Sequence, residues 1–294
     1  MKRAIIFMVL MLVMILTAKE VEYKPFILAF QESGNIDSIA LKTKAKLMEA
    51  GFEISGEYSP YAKSKIIIIT NDVLKGLAGK TKYGGFGAAQ RVSLTELNGS
   101  VQVSYTNPVY MFHAYQMMGN IKPVYENLKK ALGFIKEYGP DDGLEAEDIE
   151  DYHYKIMMPY FDDFLELEEY DTYEQAISMV EKGLKAKAGG TSKIYRIDIP
   201  GKKVSVFGVS LSVGEGSDKF VMEEIDFKKT RSTAHLPYEM MVIGNEVIAL
   251  HAKFRIAINF PDLSMMGSHS FMGIMGAPGD IEDALEMVAR GGKK

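Results

Sequence analysis

Two short segments combine histidine with methionine at spacings that suit a metal site. His113 and Met117 lie four residues apart, and Met265, His269 and Met272 follow one another at spacings of four and three. On a helix, each set would lie on one face. Thioether and imidazole ligands suit Cu(I), and a His/Met pair also ligates haem iron. The sequence therefore predicts that these five residues bind copper or haem.

Core packing is the alternative interpretation of the same pattern. Methionine fills irregular gaps, and a methionine stripe at helical spacing commonly packs against a sheet. The two histidines would then form hydrogen bonds within the fold and hold no ligand. On this interpretation the chain is a structural or partner-binding protein with methionine-rich cores.

The composition excludes several classes of function. The chain has 294 residues, with 34 Lys and Arg, 39 Asp and Glu, and a formal net charge of −5. This acidic balance argues against a nucleic-acid partner, which would select a basic face. Without cysteine, the chain has no disulfide, thiolate metal site or cysteine nucleophile. Its length fits two domains, and a hydrophobic content of 47% is typical of globular proteins.

The first residues predict an export signal. Lys2 and Arg3 precede an apolar run over residues 4–16, and Ala18 is a small residue at a plausible cleavage point. As a helix the run would span roughly 20 Å, which is less than the roughly 30 Å of a bilayer core. We therefore expect a cleaved signal at 1–18 and a periplasmic or secreted protein, with an uncleaved membrane anchor as the alternative.

The rest of the chain repeats one order of predicted elements, namely strand, helix, two strands, helix, hairpin and helices. The first hairpin turns at Asn98-Gly99 and the second at Gly244-Asn245, and a proline follows each hairpin. The repetition predicts an α+β fold of two tandem copies of a strand–helix–strand–strand–helix–hairpin–helix unit in a pseudo-twofold arrangement. Two unrelated α+β domains are the alternative.

Local signals place several of these elements. Asn35 is expected to cap a helix that ends at Gly51, and Asp171 to cap its counterpart with Glu174 as partner. The four isoleucines at 66–69 predict a strand that is buried on both faces.

Less regular segments give weaker predictions. Helices over 109–118 and 265–275 would carry the two His/Met sets. Alternation predicts a long strand over 247–258, with His251, Lys253 and Arg255 on its polar face. The glycine-rich residues 83–87 follow a helix and precede a strand, which is the wrong order for a dinucleotide loop, so they predict a flexible connection or lid.

An acidic segment separates the copies. From Glu137 to Glu174 there are fifteen Asp or Glu residues and one base, Lys155. Residues 138–151 predict a solvated acidic linker, and residues 152–164 are expected to supply the first strand of the second copy. The acids lack the register of a calcium-binding loop.

This arrangement resembles the domain-of-unknown-function 302 (DUF302) family. The resemblance rests on the helix that ends at residues 50–52 (Ala-Gly-Phe), on the hairpin with a proline after its last strand, and on residues 235–237 (His-Leu-Pro) before the second hairpin. In the first copy, residues 89–91 depart from that last pattern. The resemblance covers residues 22–137 and 152–290, the two expected domains. It implies a compact α+β unit with a mainly antiparallel sheet that can pair with a second copy, and it implies no reaction.

We therefore expect an exported, non-catalytic protein that binds copper, haem or a small apolar ligand between its two copies. A hydrolase or isomerase with a cleft between the copies is a further hypothesis, for which no acid–base pair is evident. A periplasmic protein partner is the alternative to a small ligand. Membrane contact is expected only through an uncleaved signal.

Overall fold

The structure, a computed structural model, describes residues 21–293. The predicted signal at 1–18 lies outside this range. Eleven β-strands, in two antiparallel sheets, and nine α-helices make up the described part of the chain, which confirms the α+β class. Over the same residues, none of the helices has the length and apolarity that a bilayer span requires.

Six strands form the first sheet: β1 (Phe26–Ser33), β2 (Glu53–Tyr58), β3 (Ser64–Thr70), β4 (Gln90–Leu97), β5 (Ser100–Thr106) and β6 (Lys136–Tyr138). Their order across the sheet is β2-β3-β4-β5-β1-β6. The isoleucines at 66–69 are completely buried in β3, as predicted. β4 and β5 form the predicted hairpin, and Asn98 and Gly99 have the positive φ values of a type I′ turn, 51° and 79°.

Four helices accompany this sheet: α1 (Ile36–Glu49), α2 (Asp72–Ala78), α3 (Pro108–Ala114) and α4 (Lys122–Leu132). The Asn35 side chain accepts hydrogen bonds from the backbone of Asp37 and Ser38 and so caps α1, as predicted. Gly51 follows α1 with φ 83°, a value that favours glycine. α1 and α4 contact each other, and α1 packs on β2, β3 and β4. We call this sheet with its helices the first half.

The second half has five strands and five helices: β7 (Phe164–Glu169), β8 (Thr191–Asp198), β9 (Val204–Leu211), β10 (Tyr238–Ile243), β11 (Glu246–Leu250), α5 (Ala146–Glu150), α6 (Tyr173–Lys185), α7 (Asp218–Ile225), α8 (Ala252–Ala257) and α9 (Ala277–Ala289). Its sheet order is β7-β11-β10-β9-β8. In chain order, β1 to β5 of the first half correspond to β7 to β11. These five strands have the same order across their sheet, β1-β5-β4-β3-β2. α6 and α9 pack together on this sheet.

The two halves contact each other reciprocally. A 3₁₀ turn at Gly84–Gly87 packs against β9 and β10, and a 3₁₀ turn at Thr233–His235 packs against β3, β4 and β5. The edge strands β2 and β8 also lie side by side. One cluster of buried apolar side chains runs through both halves. The glycine-rich turn is therefore a buried interface element, and the prediction of a flexible connection or lid at 83–87 is wrong.

Two predicted strands have different bounds. β11 ends at Leu250 and the helix α8 follows, so the strand predicted over 247–258 is wrong in its second part. Most of α8 is buried, including Arg255, so the alternation there does not mark a half-exposed strand. The first strand of the second half is β7, which begins only at Phe164. Its glutamates are tolerated because β7 is a sheet edge.

The start of α6 and the acidic segment also differ from expectation. Thr172, not Asp171, caps α6 by accepting a hydrogen bond from the Gln175 backbone at 3.1 Å. The carbonyl oxygen of the Gln175 side chain, not Glu174, accepts from the Asp171 backbone. Part of the predicted linker is packed, because α5 buries Ile149.

Candidate functional site

The second predicted His/Met set lies on a loop. Met265, His269 and Met272 belong to residues 264–275, which we call the methionine segment. Gly267 and His269 have φ values of 105° and 55°, which a right-handed helix does not contain. Only Phe271–Ile274 is helical, as a 3₁₀ turn. The helix predicted over 265–275 is therefore wrong.

The loop nevertheless brings two of the predicted ligands close together. The Met272 backbone N–H donates a 3.2 Å hydrogen bond to the Met265 carbonyl, so the two residues are neighbours across the loop. Their exposed fractions are 56% and 42%, and those of Met266 and Met275 are 71% and 75%. Single exposed apolar residues are ordinary, but four exposed methionines in one short loop point to a function.

His269 is held by two contacts. Its Nδ1 lies 2.8 Å from the Glu224 carbonyl oxygen, and because a carbonyl only accepts, Nδ1 carries a proton and donates. The imidazole also stacks on Phe227, with ring centroids 4.5 Å apart. In the neutral tautomer Nε2 keeps its lone pair for a ligand, and a second-shell bond of this kind orients metal-binding histidines.

The first His/Met set is not brought together on a helical face. α3 ends at Ala114, and Gln116 has φ 45°, so Met117 lies beyond the helix. Met117 is buried against Gly87, where an added Cβ would lie 2.2 Å from its Sδ. The helix predicted over 109–118 is thus too long, and Met117 packs as the core interpretation predicts.

The two histidines have different surroundings. His113 Nδ1 lies 2.6 Å from Glu150 Oε1 in α5, and its ring stacks on Tyr23. His269 contacts the end of α7 instead. Among the described residues 21–293, no group of three or more His, Asp or Glu side chains is placed to hold a metal ion.

A buried charged cluster, which sequence reasoning missed, lies between the halves. The Arg91 guanidinium in β4 donates to Glu239 in β10, and Arg255 Nε in α8 donates to the other Glu239 oxygen at 3.1 Å. His235 Nδ1 lies 3.1 Å from Arg255 Nη1. Burial and the two guanidinium groups hold the pKa of His235 well below its ordinary value, so Nδ1 accepts from Arg255.

Two tyrosines complete what we call the arginine cluster: Arg91, Tyr115, Tyr195, His235, Glu239 and Arg255. The buried hydroxyl of Tyr195 has no hydrogen-bond partner, and the hydroxyl of Tyr115 has none other than Arg91. Burial would raise the pKa of Tyr115, but the positive charges of Arg255 and Arg91, together with the hydrogen bond from Arg91, outweigh burial and lower it. Burial raises the pKa of Tyr195 to about 12.

One cavity borders the methionine segment, and a second lies near it. One, of about 150 Å³, is lined by Asp226, Asn259 and His269, and the other, of about 260 Å³, lies between the halves. Asp226 lines both. Burial raises the pKa of Asp226 to about 7, although the Ser232 backbone N–H donates to its carboxylate. Pockets for larger ligands measure about 300 Å³ or more, so these two cavities suit small polar molecules better than haem.

Comparison of the chain with protein-family models, with curated proteins and with solved structures gave no match. The resemblance to the DUF302 family remains a prediction that rests on the motifs described above.

Proposed function

We propose that this protein is an exported, non-catalytic binder of a soft monovalent metal ion, Cu(I), at Met265, His269 and Met272. The observation that carries the proposal is the methionine segment itself. Its thioether side chains are exposed, and the same loop holds a histidine whose Nδ1 is already used and whose Nε2 is available. Thioether and imidazole ligands are those that Cu(I) prefers when thiolates are absent.

The proposed site belongs to the second half alone. In the first half, Met117 is buried and His113 is paired with Glu150, so these residues do not support a second ligand set. The cavity beside His269 is too small to support haem. The export signal remains part of the proposal. Thiols are largely oxidised to disulfides outside the cytoplasm, so thioethers are the soft ligands that remain there for Cu(I).

We also propose that the two halves are tandem copies related by a pseudo-twofold axis. Three observations support this: the identical order of corresponding strands, the reciprocal 3₁₀ turns, and the contact between the equivalent edge strands β2 and β8. The Arg91–Glu239 ion pair joins the second residues of the corresponding strands β4 and β10.

Competition with a chromophoric Cu(I) chelator tests the metal site. We expect two variants to lower the affinity for Cu(I), each by at least about tenfold. One is the double variant Met265→Leu/Met272→Leu, and the other is the single variant His269→Ala. The matched control is His113→Ala/Met117→Leu, which alters the first set and should leave the affinity unchanged. Circular dichroism would check that all variants fold. No Cu(I) binding by the wild type, or equal affinity in all variants, would overturn the proposal.

A partner-binding protein is the second candidate function. Ile156 and Met157 are almost fully exposed, and large apolar side chains of this kind occur at contacts with partners. The titration separates the candidates, because this second function predicts that the wild type binds no Cu(I).

A further inference from the structure

The arginine cluster holds more positive than negative charge. Arg91 and Arg255 contribute two positive charges, Glu239 contributes one negative charge, and His235 is neutral, so the sum is +1. The four residues are at most 3% exposed. A buried charge without a counter-charge costs several kcal/mol, so the cluster as it stands lacks a negative charge.

Unpaired hydrogen-bond donors surround that charge. They are N–H groups of Arg91 and the hydroxyls of Tyr115 and Tyr195. The Tyr115 hydroxyl oxygen is close enough to Arg91 to accept from it, which leaves the Tyr115 proton and a second Arg91 N–H without an acceptor. Both tyrosines also interact electrostatically with Arg91 and with Arg255. Roughly 90% or more of buried polar groups have a partner, so these remaining donors together indicate a missing acceptor.

The acceptors already in the cluster are occupied. Each oxygen of the Glu239 carboxylate accepts from one arginine. The carbonyl oxygens of His235 and Pro237 accept from Arg255 Nη2. His235 Nδ1 accepts from Arg255 Nη1. The hydroxyl oxygens of Tyr115 and Tyr195 can also accept, but the free protons on Arg91 Nε, Arg91 Nη1 and the two hydroxyls outnumber these two oxygens. The missing acceptor is therefore a group from outside the cluster.

We propose that the arginine cluster binds one small monovalent inorganic anion, of the size of chloride, between the two halves. Such an ion supplies the missing negative charge and accepts from Arg91 and the two tyrosine hydroxyls. Because the surrounding side chains are closed to solvent, the ion is enclosed as the halves come together. Arg91 and Tyr115 come from the first half and Tyr195 from the second, so the anion links them.

Halide-dependent stability tests this site independently of Cu(I). The melting temperature of the wild type should rise with chloride concentration and not with gluconate at equal ionic strength, because a ligand of the native state stabilises it by mass action. Tyr115→Phe/Tyr195→Phe should lose this chloride dependence. The matched control is Tyr110→Phe, whose hydroxyl donates to the Ile258 carbonyl at 2.7 Å. It should lower stability and keep the chloride dependence.

A crystal of the wild type soaked in bromide gives a direct test that does not depend on folding of the variants. The anomalous signal of bromide should appear within hydrogen-bond reach of Tyr115 and Tyr195. Equal melting temperatures in chloride and gluconate, or no bromide at the cluster, would overturn the proposal. A phenolate at Tyr115 would also overturn it. That phenolate would appear as tyrosinate absorbance at neutral pH and disappear in Tyr115→Phe.

Discussion

The Tyr58 hydroxyl donates a 3.1 Å hydrogen bond to Asp218 Oδ2, and this bond joins β2 of the first half to α7 of the second. Asp218 is almost fully buried. Burial raises its pKa to about 8, although the Leu211 backbone N–H and Tyr58 both donate to its oxygens. The interface between the halves therefore contains a carboxyl group that stays protonated at neutral pH.

The first prediction is that stability falls as pH rises from about 4 to about 8. In this window Asp218 is ionised in the unfolded chain, where its pKa is near 3.8, but protonated in the fold. The folded state then binds the extra proton, so a rise in pH favours unfolding. Asp226, with a pKa raised to about 7, acts in the same direction.

Urea unfolding at a series of pH values would measure this slope. Asp218→Asn should flatten it, whereas Asp142→Asn, which removes an exposed acid, should not. Equal slopes in the wild type and Asp218→Asn would contradict the prediction.

A second prediction concerns the only carboxylate of the arginine cluster. Glu239→Gln should destabilise the fold by about 3–5 kcal/mol, because it removes the carboxylate that is paired with both buried guanidinium groups. Replacing Arg91, Glu239 and Arg255 together by Met, Leu and Met should cost less than that single change. Denaturant unfolding would measure both.

The control for this comparison is a surface pair. Glu96→Gln removes a partner of Lys63 at 2.9 Å, and should change stability by less than about 1 kcal/mol because solvent screens that pair. The prediction fails if Glu239→Gln is as mild as Glu96→Gln.

A third prediction tests the contact between β2 and β8. A Cβ at Gly56 would lie 2.3 Å from the Ile194 backbone oxygen, and backbone cannot move aside cheaply. Gly56→Ala should therefore lower the melting temperature. At Gly76 in α2 an added Cβ meets nothing within 4 Å, so Gly76→Ala should stabilise the helix by about 0.5–1 kcal/mol. Calorimetry would measure both melting temperatures. If Gly56→Ala raised the melting temperature as Gly76→Ala should, the contact between β2 and β8 would be loose.

A fourth prediction concerns a hydroxyl chain across the interface. Thr233 Oγ1 lies 2.9 Å from the Tyr61 hydroxyl and 2.8 Å from Thr95 Oγ1. Thr233→Val keeps the volume but leaves both partners short of a bond, and should cost about 1–3 kcal/mol. Adding Thr95→Val should recover part of this loss, because it removes the buried hydroxyl that Thr233→Val leaves without a hydrogen-bond partner. A double variant with fully additive losses would argue against the chain.

Sequence reasoning succeeded where the structure depends on neighbouring residues. Asn35 caps α1 with its own side chain, and Asn98-Gly99 takes the φ values that a two-residue turn requires. The isoleucines at 66–69 are buried because no polar residue interrupts them. Each of these features is set within a few positions of the chain.

The rest depends on contacts between distant residues. Alternation over 247–258 predicts a strand with Arg255 on its polar face. In the structure Arg255 lies in a helix, and Glu239, sixteen residues earlier, accepts a hydrogen bond from it in the core. The methionine segment was predicted as a helix because its spacing fits one, and the left-handed backbone at His269 is not encoded by that spacing.

The reciprocal 3₁₀ turns have a consequence for how the molecule unfolds. Each turn packs against strands of the opposite half, and one cluster of buried apolar side chains runs through both halves. Separating the halves would therefore expose apolar surface on both of them at once. Despite a length typical of two domains, the described chain should melt in one cooperative transition, with equal calorimetric and van't Hoff enthalpies.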